Sequence, residues 1–310
     1  MLRGYRHTPP KVFHTKIFLF LLVILVITVL GLSRRGSEIV SPIPKDNPKT
    51  TNTGMSLFTK KKDPGQLQDL IKNTIGTTWK SYSIYIKDLS SSFEVRINET
   101  VMYPAASVSK IAILASLYYQ VQQKNVDPDK QITVQAGDIQ DYGSGVIRNE
   151  PPGGTYTIKT LAKLMMQQSD NTAAYIISAY VVPIETIQKL VTSWGLTQTD
   201  MIQNTTSNKD MSLLLTKIFS GGIVNTAYTQ EMLSFLKDSD YEDRIPGNLP
   251  TTSVTYHKTG DAVASLHDAG IVTDGKLQYY IGIFTGDITD EEETKKLMAK
   301  ISRLVYDYFK

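Results

Sequence analysis

Stretches with the two-residue alternation of β-strands occupy both ends of the body of this chain, and the long middle between them is patterned for helices. SYSIYIKDL (Ser81 to Leu89) and SFEVRIN (Ser92 to Asn98), joined by a serine-rich turn, read as a β-hairpin. Alternation returns in SVTYHKTG, HDAGIVT and LQYYIGIFTG, between Ser253 and Gly286. From Ser107 to Ser212 the apolar residues recur at helical spacing, in IAILASLYYQVQQ, TIKTLAKLMMQQ, TAAYIISAYVV and IETIQKLVTSWG. Strands from both ends must meet in one sheet, with a helical insertion between them. An amphipathic segment from Gln66 to Ile75 precedes the first strand. The last segment, DEEETKKLMAKISRLVYDYF, is acidic early and basic later, an order that suits the helix dipole.

Upstream of this body, Ile17 to Leu32 is an uncharged sixteen-residue run flanked by Lys16, Arg34 and Arg35. No Ala-x-Ala cleavage pattern follows it, so it reads as an uncleaved signal anchor. The basic residues before it put the N-terminus in the cytoplasm and the body on the extracytoplasmic side of the cell membrane. Residues 36–65, rich in Pro, Ser, Thr, Asn and Lys, read as a flexible linker. The expected organisation is therefore 1–35 for the tail and transmembrane helix, 36–65 for the linker and 66–310 for one domain. Within that domain, 66–106 and 220–310 form the sheet-bearing part and 107–219 the helical lobe.

Composition excludes several kinds of chemistry. With no cysteine there are no disulfides and no thiolate catalysis, and with four histidines, two of them ahead of the apolar run, no histidine-rich metal centre is expected. A net charge of +3, concentrated toward the N-terminus, gives no reason to expect a nucleic-acid partner. No cofactor is implied.

Three short motifs carry chemistry. Ser107-Val108-Ser109-Lys110 places a hydroxyl and an amine three residues apart, on one face of a helix, so that a lysine with a burial-lowered pKa can take the serine proton. A second Ser-x-x-Lys, Ser234 to Lys237, reads as a plain helix surface. Ser169-Asp170-Asn171 lies where one helix pattern stops and another starts, and alone it would be a helix cap. Lys258-Thr259-Gly260 ends an alternating strand. Together and in this order, Ser-x-x-Lys, Ser-Asp-Asn and Lys-Thr-Gly form the signature of class A β-lactamases and penicillin-binding proteins. From Gln66 onward the chain resembles that serine hydrolase family, and DYGSGVI (Asp141 to Ile147) and HDAGIV (His267 to Val272) add to the likeness.

The resemblance implies an α+β, β-lactamase/transpeptidase-like fold: an antiparallel sheet flanked by helices, with an inserted all-helical lobe and the active site in the cleft. It implies Ser107 as nucleophile, Lys110 as base and Ser169 as proton relay to the leaving nitrogen. Asn171 would hold the substrate amide, Lys258 and Thr259 the substrate carboxylate, and Gly260 would let the strand approach. Backbone N–H groups of Ser107 and Asp261 would form the oxyanion hole.

Two departures matter. Class A enzymes carry a glutamate on an omega-shaped loop that activates the deacylating water, but there is no Glu here between Glu185 and Glu231, and the loop is short. Asp200 and Asp210 are the possible replacements. Beyond Gly260 the only arginine is Arg303, in the terminal helix, which leaves Lys258, with His267 as a weaker candidate, to meet the substrate carboxylate. The carboxylate of Asp261 beside an oxyanion hole is also unexpected. The expected activity is a penicillin-binding, D,D-peptidase-like acyl transfer on β-lactams or peptidoglycan stem peptides. A β-lactamase with an unusual deacylation route is the alternative, and a non-catalytic binding protein of the same fold stands third.

Overall fold

The computed structural model describes residues 62–310; the apolar run at 17–32 and all but the end of the linker lie outside them. Helix α1 (Pro64–Ile75) begins two residues before Gln66, because the Asp63 side chain accepts the Gly65 N–H and Pro64 supplies a first-turn residue that needs no donor. The strands β1 (Ser81–Asp88) and β2 (Glu94–Ile97) form the expected hairpin. After the short β3 (Met102–Pro104) come the lobe helices α2 (Lys110–Gln122), α3 (Ile158–Gln167), α4 (Asn171–Ile176) and α5 (Ile184–Ser193), with a small β4–β5 ribbon (Gln131–Thr133, Thr155–Thr157) between α2 and α3. Strand β6 (Thr205–Ser207) pairs with β3 and leads into α6 (Asn208–Phe219) and α7 (Thr226–Phe235). The chain closes with β7 (Val254–Ala262), β8 (Ser265–Asp274), β9 (Leu277–Gly286) and α8 (Glu291–Phe309).

The five long strands form one antiparallel sheet in the order β2-β1-β9-β8-β7. The two ends of the body meet at its centre, where Ser81 to Asp88 of β1 pairs with Gly286 to Tyr279 of β9. Alternation on β9 explains the layering. Tyr280 and Phe284 face the helical lobe, while Tyr279, Ile281 and Ile283 pack with Leu67, Ile71, Ile301 and Val305 of α1 and α8. A sheet covered on both faces loses the hydrophobic-in, polar-out pattern, and β9 is accordingly buried along most of its length.

Helix α6 fastens the lobe to the sheet. Asn208 at its start is fully buried, donates to the carbonyls of Gly282 (2.9 Å) and Ser83 (3.2 Å), and accepts from the Tyr280 hydroxyl at 2.7 Å. A side chain at Gly282 would collide with that amide, its Cβ lying 2.0 Å from Asn208 Oδ1. Among the described residues no helix is long and apolar enough to cross a membrane.

Candidate active site

Ser107 sits in a single 3₁₀ turn, Ala106–Ser109, rather than in the long helix itself, which starts at Lys110. Ala106, just before it, is held at φ +48°, a left-handed conformation that costs a non-glycine residue energy and that the packing around it must maintain. Strand β7 runs directly behind this turn. A Cβ on Gly260 would lie 3.2 Å from the Ser107 amide nitrogen and 3.1 Å from that of Val108, so glycine is what lets the strand come so near.

Lys110 is almost fully buried, and its amine donates to the Ser169 carbonyl (2.7 Å), the Ser169 hydroxyl (3.2 Å) and Asn171 Oδ1 (2.7 Å). Burial, reinforced by the nearby positive charge of Lys258, holds its pKa well below that of an ordinary lysine. Among the described residues no hydrogen bond joins it to the Ser107 hydroxyl; it faces the Ser-Asp-Asn motif across the cleft instead. Ser169 is itself held at φ +55°. Asp170, buried, caps α4 through the Ala173 N–H (2.9 Å) and accepts the Ile147 N–H (3.0 Å), tying DYGSGVI to the motif. Asn171 donates to the Tyr142 carbonyl at 3.0 Å. Gly145 at φ +121° makes the junction possible, because a Cβ there would sit 2.4 Å from the Asp170 carboxyl and 2.6 Å from its Cα.

On β7, Thr259 reaches the cleft, whereas Lys258 is buried beneath it, over the Tyr241 ring at 5.8 Å. Burial lowers Lys258 to about 8 against the opposing pull of Asp268 and Asp261. An arginine does lie behind this end of β7: Arg244, in the segment between α7 and β7. Its side chain is 1% exposed, bonds the His267 carbonyl at 2.8 Å, and pairs with the Asp261 carboxylate at 2.6 Å. That pair resolves the unexpected carboxylate, since Asp261 arrives already neutralised by a cation. His267 is no carboxylate ligand. Its ring is fully buried, Nε2 meets the Pro104 carbonyl at 2.8 Å, and burial lowers it to about 4, so it is neutral. His257, one residue before Lys258, is buried against Asp268 at 2.8 Å; burial alone would lower it, but Asp268 and Glu242 outweigh that and raise it to about 9.

Ser107, Lys110, Ser169, Asn171, Thr259 and Asp261 all line one open cavity of about 590 Å³, within the usual size of small-molecule sites. The second Ser-x-x-Lys copy is elsewhere: the exposed Ser234 hydroxyl bonds the Glu231 carbonyl of its own helix, and Lys237 pairs with Asp238 at 3.5 Å. Neither candidate for the missing glutamate reaches the cavity. Asp200 folds back on the Ile202 and Gln203 N–H groups at 2.9 Å, and the buried Asp210 takes the Gln198 N–H and Thr199 hydroxyl at 2.7 and 2.9 Å. From the loop Met201 and Asn204 line the cavity, and among the described residues the one carboxylate lining it is the Arg244-bound Asp261. Among the described residues no cluster of three metal-ligating acidic, histidine or cysteine side chains occurs.

Residues 66–309 match the model of the Beta-lactamase enzyme family. A protein of Bacteroides uniformis named Beta-lactamase is 26% identical over 242 residues, 69% of this chain and 81% of its own length. Among solved structures, PBP-A is 25% identical with a TM-score of 0.73, over 79% of this chain and 96% of that one. A beta-lactamase from Chitinophaga pinensis is 21% identical with a TM-score of 0.75, over 79% and 100% of the two chains, a likeness of fold.

Proposed function

This chain belongs to the beta-lactamase enzyme family and is a serine hydrolase of that type, and we propose that it acylates readily and deacylates slowly, acting on β-lactams and on D-Ala-D-Ala-type cell-wall peptides. The Ser107 oxygen attacks the amide carbonyl while its proton passes to the neutral Lys110 amine. Backbone N–H groups of Ser107 and Asp261 hold the oxyanion. When the C–N bond breaks, the proton moves from Lys110 through the Ser169 hydroxyl, 3.2 Å away, to the departing nitrogen. Thr259, with Lys258 and Arg244 behind it, holds the substrate carboxylate, and Asn171 the acyl amide.

The observation that carries slow turnover is the cavity wall, where among the described residues no unpaired carboxylate is available to activate water. Following the intact mass of the body with time after adding penicillin G tests it. A lasting adduct, absent in Ser107→Ala, is expected. A transient adduct with consumption of antibiotic would instead favour a class A-type β-lactamase, a reading supported by the Bacteroides relative and by the amine of Lys110, which is neutral again after acylation. No adduct with any β-lactam or acyl-D-Ala thioester would point to a non-catalytic binding protein.

We also propose that residues 17–32 anchor the enzyme with its catalytic domain outside the cytoplasmic membrane. The full chain should then stay with membranes under alkaline carbonate wash, and a chain starting at residue 36 should be released. Recovery of the full chain in the wash would rule the anchor out.

A further inference from the structure

The two cations behind Thr259, Lys258 and Arg244, come from different segments, yet both are tied to one carboxylate that takes no part in the chemistry above. Asp268 lies on β8 opposite Thr259 in the ladder and is fully buried. Its Oδ1 meets Nδ1 of His257 at 2.8 Å, and its Oδ2 accepts the Ile245 N–H at 3.0 Å. His257 is the residue before Lys258, and Ile245 is the residue after Arg244. One carboxylate, through its two oxygens, thus fastens the chain neighbours of both cations.

His257 is held from every side. Its backbone N–H donates to the Leu236 carbonyl at 2.6 Å, and its Nε2 faces Glu242 Oε1 at 3.4 Å, an oxygen that also accepts the Ser239 N–H at 2.8 Å. With a carboxylate at each ring nitrogen the imidazole is a cation that donates from Nδ1 to Asp268. A buried carboxylate bonded at both oxygens cannot turn without stranding one of its partners. Lys258 is held less directly. Among the described residues it has no carboxylate within hydrogen-bond reach; its amine donates to the Thr259 carbonyl at 3.2 Å and lies over the Tyr241 ring. Against the burial that lowers its pKa, Asp268 on β8 and then Asp261 on β7 favour its ammonium, while Arg244 and Lys110 oppose it. The Tyr280 hydroxyl of β9 also feels Asp268 but is bonded to Asn208.

We infer that Asp268 is a positioning residue for recognition of the substrate carboxylate: through His257 it fixes the β7 segment that carries Lys258, and through the Ile245 N–H the segment that carries Arg244. The inference rests on the acyl-transfer reading above. Asp268 is buried and does not itself meet substrate; it acts through the two cations, by holding their backbones in place and by supplying the negative charge that keeps Lys258 an ammonium.

Second-order acylation rates of penicillin G and of its methyl ester test it, because the ester lacks the negative charge and the ratio of the two cancels any general loss of activity. Asp268→Asn, which keeps the shape and removes the charge, should lower the penicillin G to ester ratio at neutral pH by about fivefold and move the alkaline limb of the penicillin G profile down by about one pH unit. That variant leaves His257 charged and buried without its partner. Asp268→Asn combined with His257→Asn, whose amide N–H stands in for the Nδ1 donor, gives a neutral pair that serves where the single variant does not fold, and it should show the same two changes. A folded variant whose ratio stays within twofold of the parent chain, or whose alkaline limb does not move, would overturn the role of Asp268 while leaving acyl transfer standing. Failure of the parent chain to be acylated by either compound would remove the acyl-transfer reading and this role with it.

Discussion

Arg244 works from a position where almost none of its side chain meets solvent, fastening Asp261 and the His267 carbonyl at the end of the cleft. Arg244→Ala would leave Asp261, more than half exposed, without its cation. Water can screen that carboxylate, so the stability loss is expected at about 1–2 kcal/mol, below the 3–5 typical of a fully buried pair. Acylation by carboxylate-bearing substrates should fall at least tenfold, because the unpaired Asp261 then repels them; denaturant unfolding and adduct kinetics measure the two effects. Lys110 and Lys258 predict the pH profile. Lys110 must be neutral to take the serine proton, so acylation rises with pH through its depressed pKa. Lys258 must be charged to attract a carboxylate, so acylation falls as pH passes about 8. The second-order rate of adduct formation should be bell-shaped, and Lys258→Arg should move the alkaline limb upward. A profile that only rises would remove Lys258 from carboxylate binding.

The active-site elements are held by contacts between segments far apart in sequence. DYGSGVI meets the Ser-Asp-Asn turn only because Gly145 has no Cβ and Asp170 reaches the Ile147 N–H. Gly145→Ala combines a positive φ with a contact near 2.4 Å and is expected to cost about 2–4 kcal/mol and to displace Asn171. A drop in thermal midpoint with loss of acylation would bear this out; an unchanged midpoint would refute it. The hairpin, the three C-terminal strands and the helix-turn positions of the motifs were legible in the sequence because each has its own period and its own caps. The register of DYGSGVI against α4 was not, since it depends on a buried carboxylate and a missing Cβ, which leave no periodic trace. Arg244 leaves no such trace either: it lies in an irregular segment, and its proximity to β7 arises only when the sheet forms.

For the molecule as a whole, two buried histidines pull stability in opposite directions with pH. His267 is lowered to about 4 in the folded state, so below pH 6.5 the unfolded chain takes up a proton that the folded one refuses, and stability falls as pH drops toward 4. The loss is about 3 kcal/mol, from 1.36 kcal/mol per pKa unit. His257 is raised to about 9, so its contribution is complete below 6.5 and is lost as pH rises through 9. Unfolding free energies across pH 4–7 should be flatter for His267→Gln than for the parent chain; equal slopes would disprove the assignment.

By itself the sequence determined that terminal strands must share one sheet around a helical insertion, and the family resemblance carried by its three motifs implied that they would converge. Local periods and helix caps act over a few residues and are written in order along the chain. Only the tertiary structure decided that Lys110 turns to Ser169 and Asn171, that Asp261 is neutralised by Arg244, that His267 is inert and that, among the described residues, no free carboxylate lines the cleft. Those outcomes depend on burial and on distances of a few ångströms between distant segments, and both come into being only when the sheet closes between its two layers of helices.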